Sequence, residues 1–333
     1  MTSPNRLLVV STIVVIVLFG IYAYYQWFDR FPPRQDMVIG VSFSAEQARW
    51  LGLDPATVFQ KLLDEYRFRR LRLSAQWASI EPRRGEYQWT DLDDLMNRAA
   101  RAGAKVMLAV GQKTPRWPEC HLPEWAKDLS HQERIAALYR SVEVIVKRYR
   151  NHPALEMWQV ENEPFLGFGI CPPFLPKDFT GELALVKRLD PAHPILTSDS
   201  GELSPWRRTA RATDYFGTTL YRVVWNRLIG YWNYDWLPPA FYRAKLRLTG
   251  RDRASTFITE LQAEPWIPHG VTTATPLTEQ ARSMNLHRLR QNIVYARRLG
   301  VPRAYLWGAE WWEWLAKQGK PAMAEDVKAM PKE

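Results

Sequence analysis

Two glutamates that accompany short apolar runs are the residues of this sequence best suited to chemistry. Glu163 lies in the segment 158–164, which reads WQVENEP, and Glu260 comes directly after the apolar run Thr256–Thr259. Two carboxyl groups about 5–5.5 Å apart, one protonated and one ionised, can cleave a glycosidic bond with retention of configuration. Because the two residues are far apart in sequence, that chemistry requires a fold that brings them together.

Eight short apolar runs alternate with amphipathic stretches and predict an α/β fold. The runs are typical of buried parallel strands, and they are Val38–Phe43, Arg70–Ser74, Lys105–Val110, Leu155–Val160, Pro194–Thr197, Tyr215–Leu220, Thr256–Thr259 and Arg303–Trp307. The stretches with helical spacing include Pro55–Tyr66, Asp91–Ala102, Gln132–Tyr149, Thr180–Leu189 and Thr278–Leu299. This alternation predicts a (β/α)8 TIM barrel over residues 36–320, followed by a loosely held polar tail, 321–333.

An open doubly wound sheet is the alternative architecture. Such a sheet is expected to carry a glycine-rich phosphate-binding turn after an early strand. The segment Gly167-Phe168-Gly169 lacks a third glycine and follows the fourth run, so the barrel is the better prediction. In a barrel the active site lies at the carboxyl ends of the strands. We therefore expect Glu163, after the fourth run, and Glu260, after the seventh, to face each other across the barrel mouth.

With those positions assigned, the triplet Asn162-Glu163-Pro164 together with Glu260 resembles clan A of the glycoside hydrolases. That clan includes family 5 cellulases and mannanases and the family 39 and family 42 glycosidases. The resemblance implies a retaining enzyme in which Glu163 is the acid/base and Glu260 the nucleophile. It also implies that Asn162 hydrogen-bonds the 2-hydroxyl of the sugar.

Other positions extend the resemblance. Arg72 matches the strand-two arginine near the nucleophile, and Tyr221 matches the tyrosine that hydrogen-bonds it. Trp307 matches the tryptophan platform under the sugar at the cleavage site. Trp77 begins a segment that resembles the loop after strand two in family 39. These four residues are therefore expected to bind the substrate.

Two positions depart from the family 5 pattern. The histidine commonly found after strand three is replaced by Gly111-Gln112, and the strand-six His-x-Tyr is replaced by Thr219-Leu220-Tyr221. These departures leave open a second function, a membrane-tethered barrel that binds glycans without cleaving them. The presence of both Glu163 and Glu260 favours catalysis, because a binding module needs neither.

Several neighbouring residues allow more than one interpretation. Glu264 competes with Glu260 for the role of nucleophile, and we favour Glu260 because it directly follows the apolar run. Glu264 would then bind substrate in the cleft. Trp311 could line a sugar subsite or simply pack the barrel top. Glu161 is expected to be a structural partner inside the barrel.

An apolar segment at the amino terminus predicts a membrane anchor. Residues 7–28 contain no charged side chain, and 22 helical residues reach about 33 Å, enough to cross a bilayer. The segment ends in tyrosines and Trp27, which suit the membrane–water boundary. We expect an uncleaved signal anchor with residues 1–6 cytoplasmic, a linker 29–35 and an extracytoplasmic barrel. A cleaved signal peptide is the alternative.

The cysteines and the charge bear on the compartment and on partners. Cys120 and Cys171 fall on neighbouring loops of the predicted barrel and are expected to form a disulfide in an oxidising compartment; in a cytosolic protein they would be inert thiols. The net charge of +10 is spread along the chain without a basic tail. The expected partners are therefore an oligo- or polysaccharide and a lipid bilayer, not nucleic acid.

No motif for a metal or a cofactor stands out in the sequence. The six histidines lack H-E-x-x-H or similar spacing, and there is no G-x-S-x-G nucleophile elbow. The expected chemistry of two carboxyl groups needs no cofactor and no catalytic metal.

Overall fold

Eight parallel strands close into a barrel in a computed structural model that describes residues 4–28, 32–270 and 272–332. The strands of the chain are β1 (Val38–Ser42), β2 (Arg70–Ser74), β3 (Lys105–Val110), β4 (Leu155–Val160), β5 (Ile195–Asp199), β6 (Tyr215–Leu220), β7 (Val223–Asn226), β8 (Gly230–Asn233), β9 (Thr256–Gln262) and β10 (Arg303–Trp307). Around the barrel the order is β1-β10-β9-β6-β5-β4-β3-β2. The predicted (β/α)8 barrel is confirmed, and the open sheet is wrong.

Helices surround the barrel or precede it. They are α1 (Pro4–Phe28), α2 (Ala45–Trp50), α3 (Pro55–Asp64), α4 (Trp77–Ile80), α5 (Thr90–Arg101), α6 (Glu124–Lys127), α7 (His131–Tyr149), α8 (Pro176–Leu189), α9 (Pro239–Thr249), α10 (Leu277–Gln280), α11 (Leu286–Leu299), α12 (Ala309–Lys317) and α13 (Ala322–Ala329). Two short 3₁₀ turns, Pro268–Gly270 and Thr272–Ala274, follow β9.

The strand that carries Glu260 is longer than its apolar run. β9 continues through Gln262, and its register pairs Glu260 with Thr219 of β6 and Gln262 with Trp307 of β10. Polar residues at the end of a strand resemble a loop by hydropathy, which explains the shorter prediction. Glu260 is therefore held in the barrel ladder by its pairing with β6, instead of following the strand in a loop, and the register towards β10 shifts between Ile258 and Leu261.

The predicted helix Thr278–Leu299 is wrong in its first half. The chain forms the short α10 and then α11, which begins at Leu286 because the Asn285 side chain accepts a hydrogen bond from the Arg288 backbone N–H. Helix α8 begins at Pro176, four residues before the predicted start, with proline in the first turn where its missing N–H costs nothing.

The expectation of a loosely held tail is also wrong. Met323, Ala324 and Val327 of α13 are buried in the main core. The carbonyl of Lys332 accepts a hydrogen bond of 2.9 Å from the backbone of Ile39 in β1. Three apolar residues at helical spacing are enough to dock the tail against the barrel, although its composition is polar.

A hairpin and a disulfide complete the framework. β7 and β8 form an antiparallel pair, absent from the sequence prediction, on the loop after β6. The predicted disulfide Cys120–Cys171 is present, with a Cα–Cα distance of 5.1 Å. It links the loop after β3 to the loop after β4, so both loops are fixed above the carboxyl ends of these strands.

Helix α1 contains the predicted apolar segment. Residues Arg6–Trp27 are long and apolar enough to cross a membrane, with a mean hydropathy of 2.6, and none of the span is buried inside the protein. Residues 1–3 and 29–31 of the predicted cytoplasmic terminus and linker lie outside the described residues.

Candidate active site

Glu163 lies just beyond the end of β4 with its carboxyl group directed into the barrel mouth. Its backbone is in the left-handed region, with φ of 49°, and the residue is 7% exposed. The Thr219 hydroxyl donates a hydrogen bond of 3.0 Å to Oε1 of Glu163. Thr219 also pairs with Glu260 in the barrel ladder, so it connects the two glutamates across β6.

Glu260 receives two strong donors. Nη1 of Arg72 donates to Oε1 at 2.9 Å, and the Tyr221 hydroxyl donates to Oε2 at 2.7 Å. Arg72 is 1% exposed, so the ion pair is shielded from water and its attraction is stronger than at a surface. Each oxygen of this carboxylate is therefore held in a fixed direction, which a nucleophile requires.

Arg72 also orients the residue that precedes Glu163. Its Nη2 donates to Oδ1 of Asn162 at 2.8 Å, and the Ser198 hydroxyl donates to the same oxygen at 2.8 Å. The Asn162 oxygen is thereby occupied, and the amide nitrogen is directed towards Glu119, with Oε2 at 3.4 Å. The expected positions of Arg72, Asn162 and Tyr221 beside the two glutamates agree with this geometry.

The two glutamates have different electrostatic surroundings. Burial, followed by repulsion from Glu260 and from Glu119, holds the pKa of Glu163 well above its usual range. No arginine pairs with the Glu163 carboxyl among the described residues, whereas Arg72 pairs with Glu260. The raised pKa favours the protonated form of Glu163, and Arg72 compensates the charge of Glu260, which is the division of roles that general acid catalysis needs.

Glu119 is a third carboxyl at this site, and the sequence prediction missed it. It is buried in the loop after β3 with φ of 73°, between Pro118 and the disulfide-bonded Cys120. Burial and repulsion from Glu260 raise the pKa of Glu119 to about 8. Gly169 packs against it so closely that an added Cβ would lie 2.6 Å from the Glu119 Cβ. The cysteine next to it was the only sequence signal that placed this loop.

Replacing Glu119 by glutamine is expected to shift the alkaline limb of the pH–rate profile to lower pH. Repulsion from Glu119 is one cause of the raised pKa of Glu163, so its removal lets Glu163 lose its proton at lower pH. The measurement is kcat against pH for the parent and the variant. Glu124→Gln on the exposed surface of α6 is the matched control and should leave the limb in place. A rate loss at every pH with an unmoved limb would show that Glu119 is only structural.

Two tryptophans predicted to bind substrate are part of the core instead. Trp77 is 1% exposed, donates to Oε2 of Glu81 and packs edge-on against Trp125. Trp311 is 4% exposed and donates to Oε1 of Gln280. Both predictions are corrected, because buried rings whose N–H groups are already bonded present no face to a ligand.

An ion cluster occupies the side of the mouth near β10. Arg116 pairs with Glu264 and, at 2.5 Å, with Glu310, and its guanidinium lies 4.1 Å from the centre of the Trp307 ring. Glu264 is thus engaged by Arg116, while Arg72 contacts Glu260, which supports Glu260 as the nucleophile candidate. Trp307 lies at the mouth as expected, with one face covered by Arg116.

Aromatic rings from three loops meet above Glu260. The ring of Trp266 stands edge-on to Tyr221, with centroids 5.3 Å apart, and contacts Phe168, which in turn contacts Trp117. A cavity of about 550 Å³ is lined by residues of the loops after β1 and β2, among them Phe43 and Tyr87, by the first half of α5 and by Arg148 in the last turn of α7. A small cavity beside Arg72 and Trp307 shares Phe43 with it.

Behind the site, Glu161 and Glu182 form a buried carboxyl pair. Glu161 accepts backbone hydrogen bonds from Gln112 at 2.6 Å and Lys113 at 2.8 Å, as a structural partner should. A Cβ at Gly111 would lie 2.5 Å from Glu161, so only glycine fits there. Neither oxygen of Glu182 finds a protein donor within the described residues. Burial is the main cause that raises the pKa of Glu161 to about 7 and that of Glu182 well above its usual range.

Replacing Glu182 by glutamine is expected to stabilise the protein at alkaline pH. The folded pair holds protons that the unfolded chain releases near the ordinary glutamate pKa, so the parent loses stability as pH rises from about 4.5 through 7 and above. Thermal unfolding at pH 8 should show a Tm increase of at least about 2–4 °C, the effect of 1 kcal/mol in a domain of this size. Near pH 5 the two proteins should differ little. A variant less stable at pH 8 would contradict a shared proton.

No group of three or more histidine, cysteine, aspartate or glutamate side chains in the described part of the chain is arranged to hold a metal ion.

The sequence matches a known family over about a third of the chain. Residues 61–171 fit the model of glycoside hydrolase family 42, described as beta-galactosidase. A beta-galactosidase from an Arthrobacter species is 34% identical over 105 residues, which are 26% of this chain and 15% of that protein. Beta-galactosidase GanA of Bacillus subtilis (strain 168) is 30% identical over 104 residues, 26% of this chain and 16% of its own. The match thus spans only a small part of these relatives' length.

Solved structures of similar fold cover more of the chain. A beta-galactosidase from the psychrophilic Marinomonas ef1 superposes with a TM-score of 0.56 at 15% identity, over 89% of this chain and 62% of that one. Native xylanase 10B from Thermotoga maritima gives 0.52 at 16% identity, over 82% and 83%. At such identities the likeness concerns the fold. By its barrel and by the match over residues 61–171, the chain is similar to the clan A glycoside hydrolases, as the Asn162-Glu163-Pro164 triplet predicts.

Proposed function

We propose that this protein is a retaining glycoside hydrolase that cleaves β-glycosidic bonds with Glu163 as acid/base and Glu260 as nucleophile. One observation carries the proposal: a buried glutamate whose pKa is raised by burial and by repulsion from Glu260, and a glutamate paired with Arg72, share one barrel mouth. Two carboxyls in opposite protonation states are what double displacement at an anomeric carbon requires.

In the first step the glycosidic bond is exchanged for an ester. Glu260 attacks the anomeric carbon while Glu163 transfers its proton to the leaving oxygen, so the departing sugar leaves as a neutral alcohol. Arg72 and Tyr221 hold the two oxygens of Glu260 and fix the direction of attack. The Asn162 amide nitrogen has two N–H groups; one is directed at Glu119, and the other would donate to the 2-hydroxyl.

In the second step water displaces Glu260 from the anomeric carbon. Once Glu260 is esterified it carries no charge, and the repulsion that raises the pKa of Glu163 is relieved. Glu163, now a carboxylate, accepts a proton from water, and the resulting hydroxide equivalent attacks the anomeric carbon and frees Glu260. By taking that proton Glu163 regains the one it gave to the leaving group, Glu260 is again a carboxylate, and the cycle is closed without a cofactor.

For the substrate we propose an oligosaccharide with a β-linked galactose or related hexose at the cleaved bond. The family match over residues 61–171 supports a galactoside, and it contains Arg72, Glu119 and Glu163.

We also propose that α1 anchors the barrel in a membrane, with the barrel outside the cytoplasm. The exposed apolar helix and the Cys120–Cys171 disulfide support this placement, because disulfides persist in oxidising compartments.

A panel of nitrophenyl β-glycosides and β-linked oligosaccharides, tested with the purified full-length chain, decides the function. The parent should hydrolyse at least one β-glycoside, and Glu163→Gln and Glu260→Gln should not. Hydrolysis that neither substitution affects would reject the assignment, and binding without hydrolysis by the parent would identify a glycan-binding barrel instead.

A further inference from the structure

The chain enters the barrel at the end opposite to the active site. The backbone N–H of Arg34 donates to the carbonyl of Arg297 at 2.9 Å, and Nη1 of Arg297 donates to the carbonyl of Gln35 at 2.6 Å. Arg297 is in the last turn of α11, which leads to the beginning of β10. From Arg34 onwards, the chain is therefore fixed to the end of the barrel where the strands begin.

The distance between this end and α1 is limited by covalent geometry. Six steps along the chain separate Phe28, the last residue of α1, from Arg34. A fully extended chain spans at most 3.3–3.6 Å per residue, so the two Cα atoms lie within about 20 Å. If α1 crosses a bilayer, the strand-beginning end is the part of the barrel that is tethered next to the lipid, and the catalytic mouth is at the other end.

This same end is strongly basic. We call this surface the basic end. For most barrel strands it comprises the residues from the last helical turn before the strand to the first residue of the strand. For β1 and β6 it comprises residues 32–38 and 210–215. Its exposed basic side chains are Arg67, Arg101, Lys105, Lys147, Arg148, Arg150, Lys187, Arg188, Arg211, Arg247, Arg253 and Arg298. Its exposed acidic side chains are Asp36, Asp64, Glu65, Asp214 and Asp252.

Two of these five acidic groups do not offset the excess, because basic side chains outside this set already engage them. Asp36 pairs with Arg34, and Glu65 pairs with Lys328. Basic residues in the last helical turns are favoured by the helix dipoles, which accounts for part of the pattern. The loop residues Arg67, Arg211 and Arg253 lie outside those helical turns, so the dipoles do not account for them.

We infer that the basic end is a docking surface for anionic phospholipid headgroups. The inference rests on the proposed anchoring by α1 and is independent of the hydrolytic activity. The limit of about 20 Å is a maximum, so the tether lets the patch of arginine and lysine come down onto the bilayer surface. There, attraction to negative headgroups acts within about one Debye length, roughly 8 Å at physiological salt. Docking holds the barrel axis roughly perpendicular to the membrane. The mouth that contains Glu163 and Glu260 then faces away from the lipid, towards glycans outside the membrane surface.

Energy transfer in lipid nanodiscs tests this orientation with the full-length chain. Ala254→Cys places a fluorophore on the exposed loop before β9, and Leu228→Cys places one on the hairpin tip at the opposite end. Both native cysteines are in the disulfide, so the label attaches to the introduced thiol. The acceptor is carried by the lipid headgroups, and the discs contain phosphatidylcholine alone or phosphatidylcholine with a third replaced by phosphatidylglycerol.

Transfer from position 254 should rise in the anionic discs relative to the neutral ones, and transfer from position 228 should not. The rise should disappear at about 0.5 M salt, where the screening length falls to about 4 Å. The combined substitutions Arg188→Gln, Arg211→Gln and Arg253→Gln should abolish it. The matched control Arg83→Gln, Lys127→Gln and Arg227→Gln, on exposed loops after β2, β3 and β6, should retain it.

Docking would be overturned, and the anchor left intact, by either of two results. One is equal energy transfer from position 254 in neutral and anionic discs, and the other is an equal loss of the rise in both triple variants. A chain that does not co-purify with nanodiscs would overturn the anchor, and the docking geometry with it. Hydrolysis measured on the same discs reports separately on the glycosidase proposal, since the labels and substitutions lie away from the catalytic glutamates.

Discussion

Replacing Glu260 by alanine is expected to reduce kcat by about 10⁴–10⁶-fold, the loss typical of removing a covalent nucleophile. The carboxylate is the group that forms the ester, and no other carboxyl at the mouth is held by both Arg72 and Tyr221 within the described residues. Steady-state rates on the best substrate of the glycoside panel provide the measurement. Folding is checked by the thermal unfolding midpoint.

Azide distinguishes a lost nucleophile from general damage to the site. In Glu260→Ala, azide can enter the vacated space and attack the anomeric carbon of an activated glycoside directly, giving a glycosyl azide of inverted, α configuration. Glu264→Gln is the matched control, because this neighbouring glutamate pairs with Arg116 and not with Arg72. If Glu264→Gln were inactive and Glu260→Ala active, the assignment of the nucleophile would be reversed.

Replacing Glu163 by alanine is expected to reduce hydrolysis of ordinary sugar leaving groups by about 10²–10⁴-fold, the usual contribution of general acid–base catalysis. A dinitrophenyl leaving group needs no proton, so its release should remain fast in the first turnover. The second step still lacks its base, and steady-state turnover should be slow. Stopped-flow kinetics should therefore show a burst of dinitrophenolate followed by slow release.

Azide should give the opposite stereochemical result in this variant. It attacks the glycosyl-enzyme from the side that Glu163 vacates, and the product is a β-glycosyl azide with retained configuration. An equal loss for good and poor leaving groups, with no burst, would mean that Glu163 does not act as the acid/base.

The strand pattern of this barrel could be predicted because each strand is buried on both faces. Continuous apolar runs then identify strands without the need for periodicity, and all eight barrel strands were found from them. The position of Glu260 inside β9 could not be obtained in this way, since Glu260 and Gln262 pair in the ladder despite being polar.

Residues of the site could be predicted only where the amino-acid type and the position relative to a strand were enough to identify them. Glu163 and Tyr221 come just after strands, Arg72 and Glu260 lie within strands, and the fold brings the four together. Glu119 belongs to a loop whose path depends on positive φ and on the disulfide, which no local pattern encodes.

The predictions that Trp77 and Trp311 bind substrate were wrong for a different reason. A ring at a cleft and a ring in the core are the same residue type, and burial alone separates them. Trp77 and Trp311 are core residues, whereas Trp266 reaches the mouth and contacts Tyr221.

Trapping the glycosyl-enzyme tests the central claim most directly. A 2-deoxy-2-fluoro glycosyl fluoride of the sugar that the protein hydrolyses should form an ester that turns over slowly, because the fluorine destabilises the oxocarbenium-like transition state. Peptide mass spectrometry of the inactivated protein should find the added sugar on Glu260. An unmodified protein under conditions of active hydrolysis, or a sugar attached to another residue, would contradict the account.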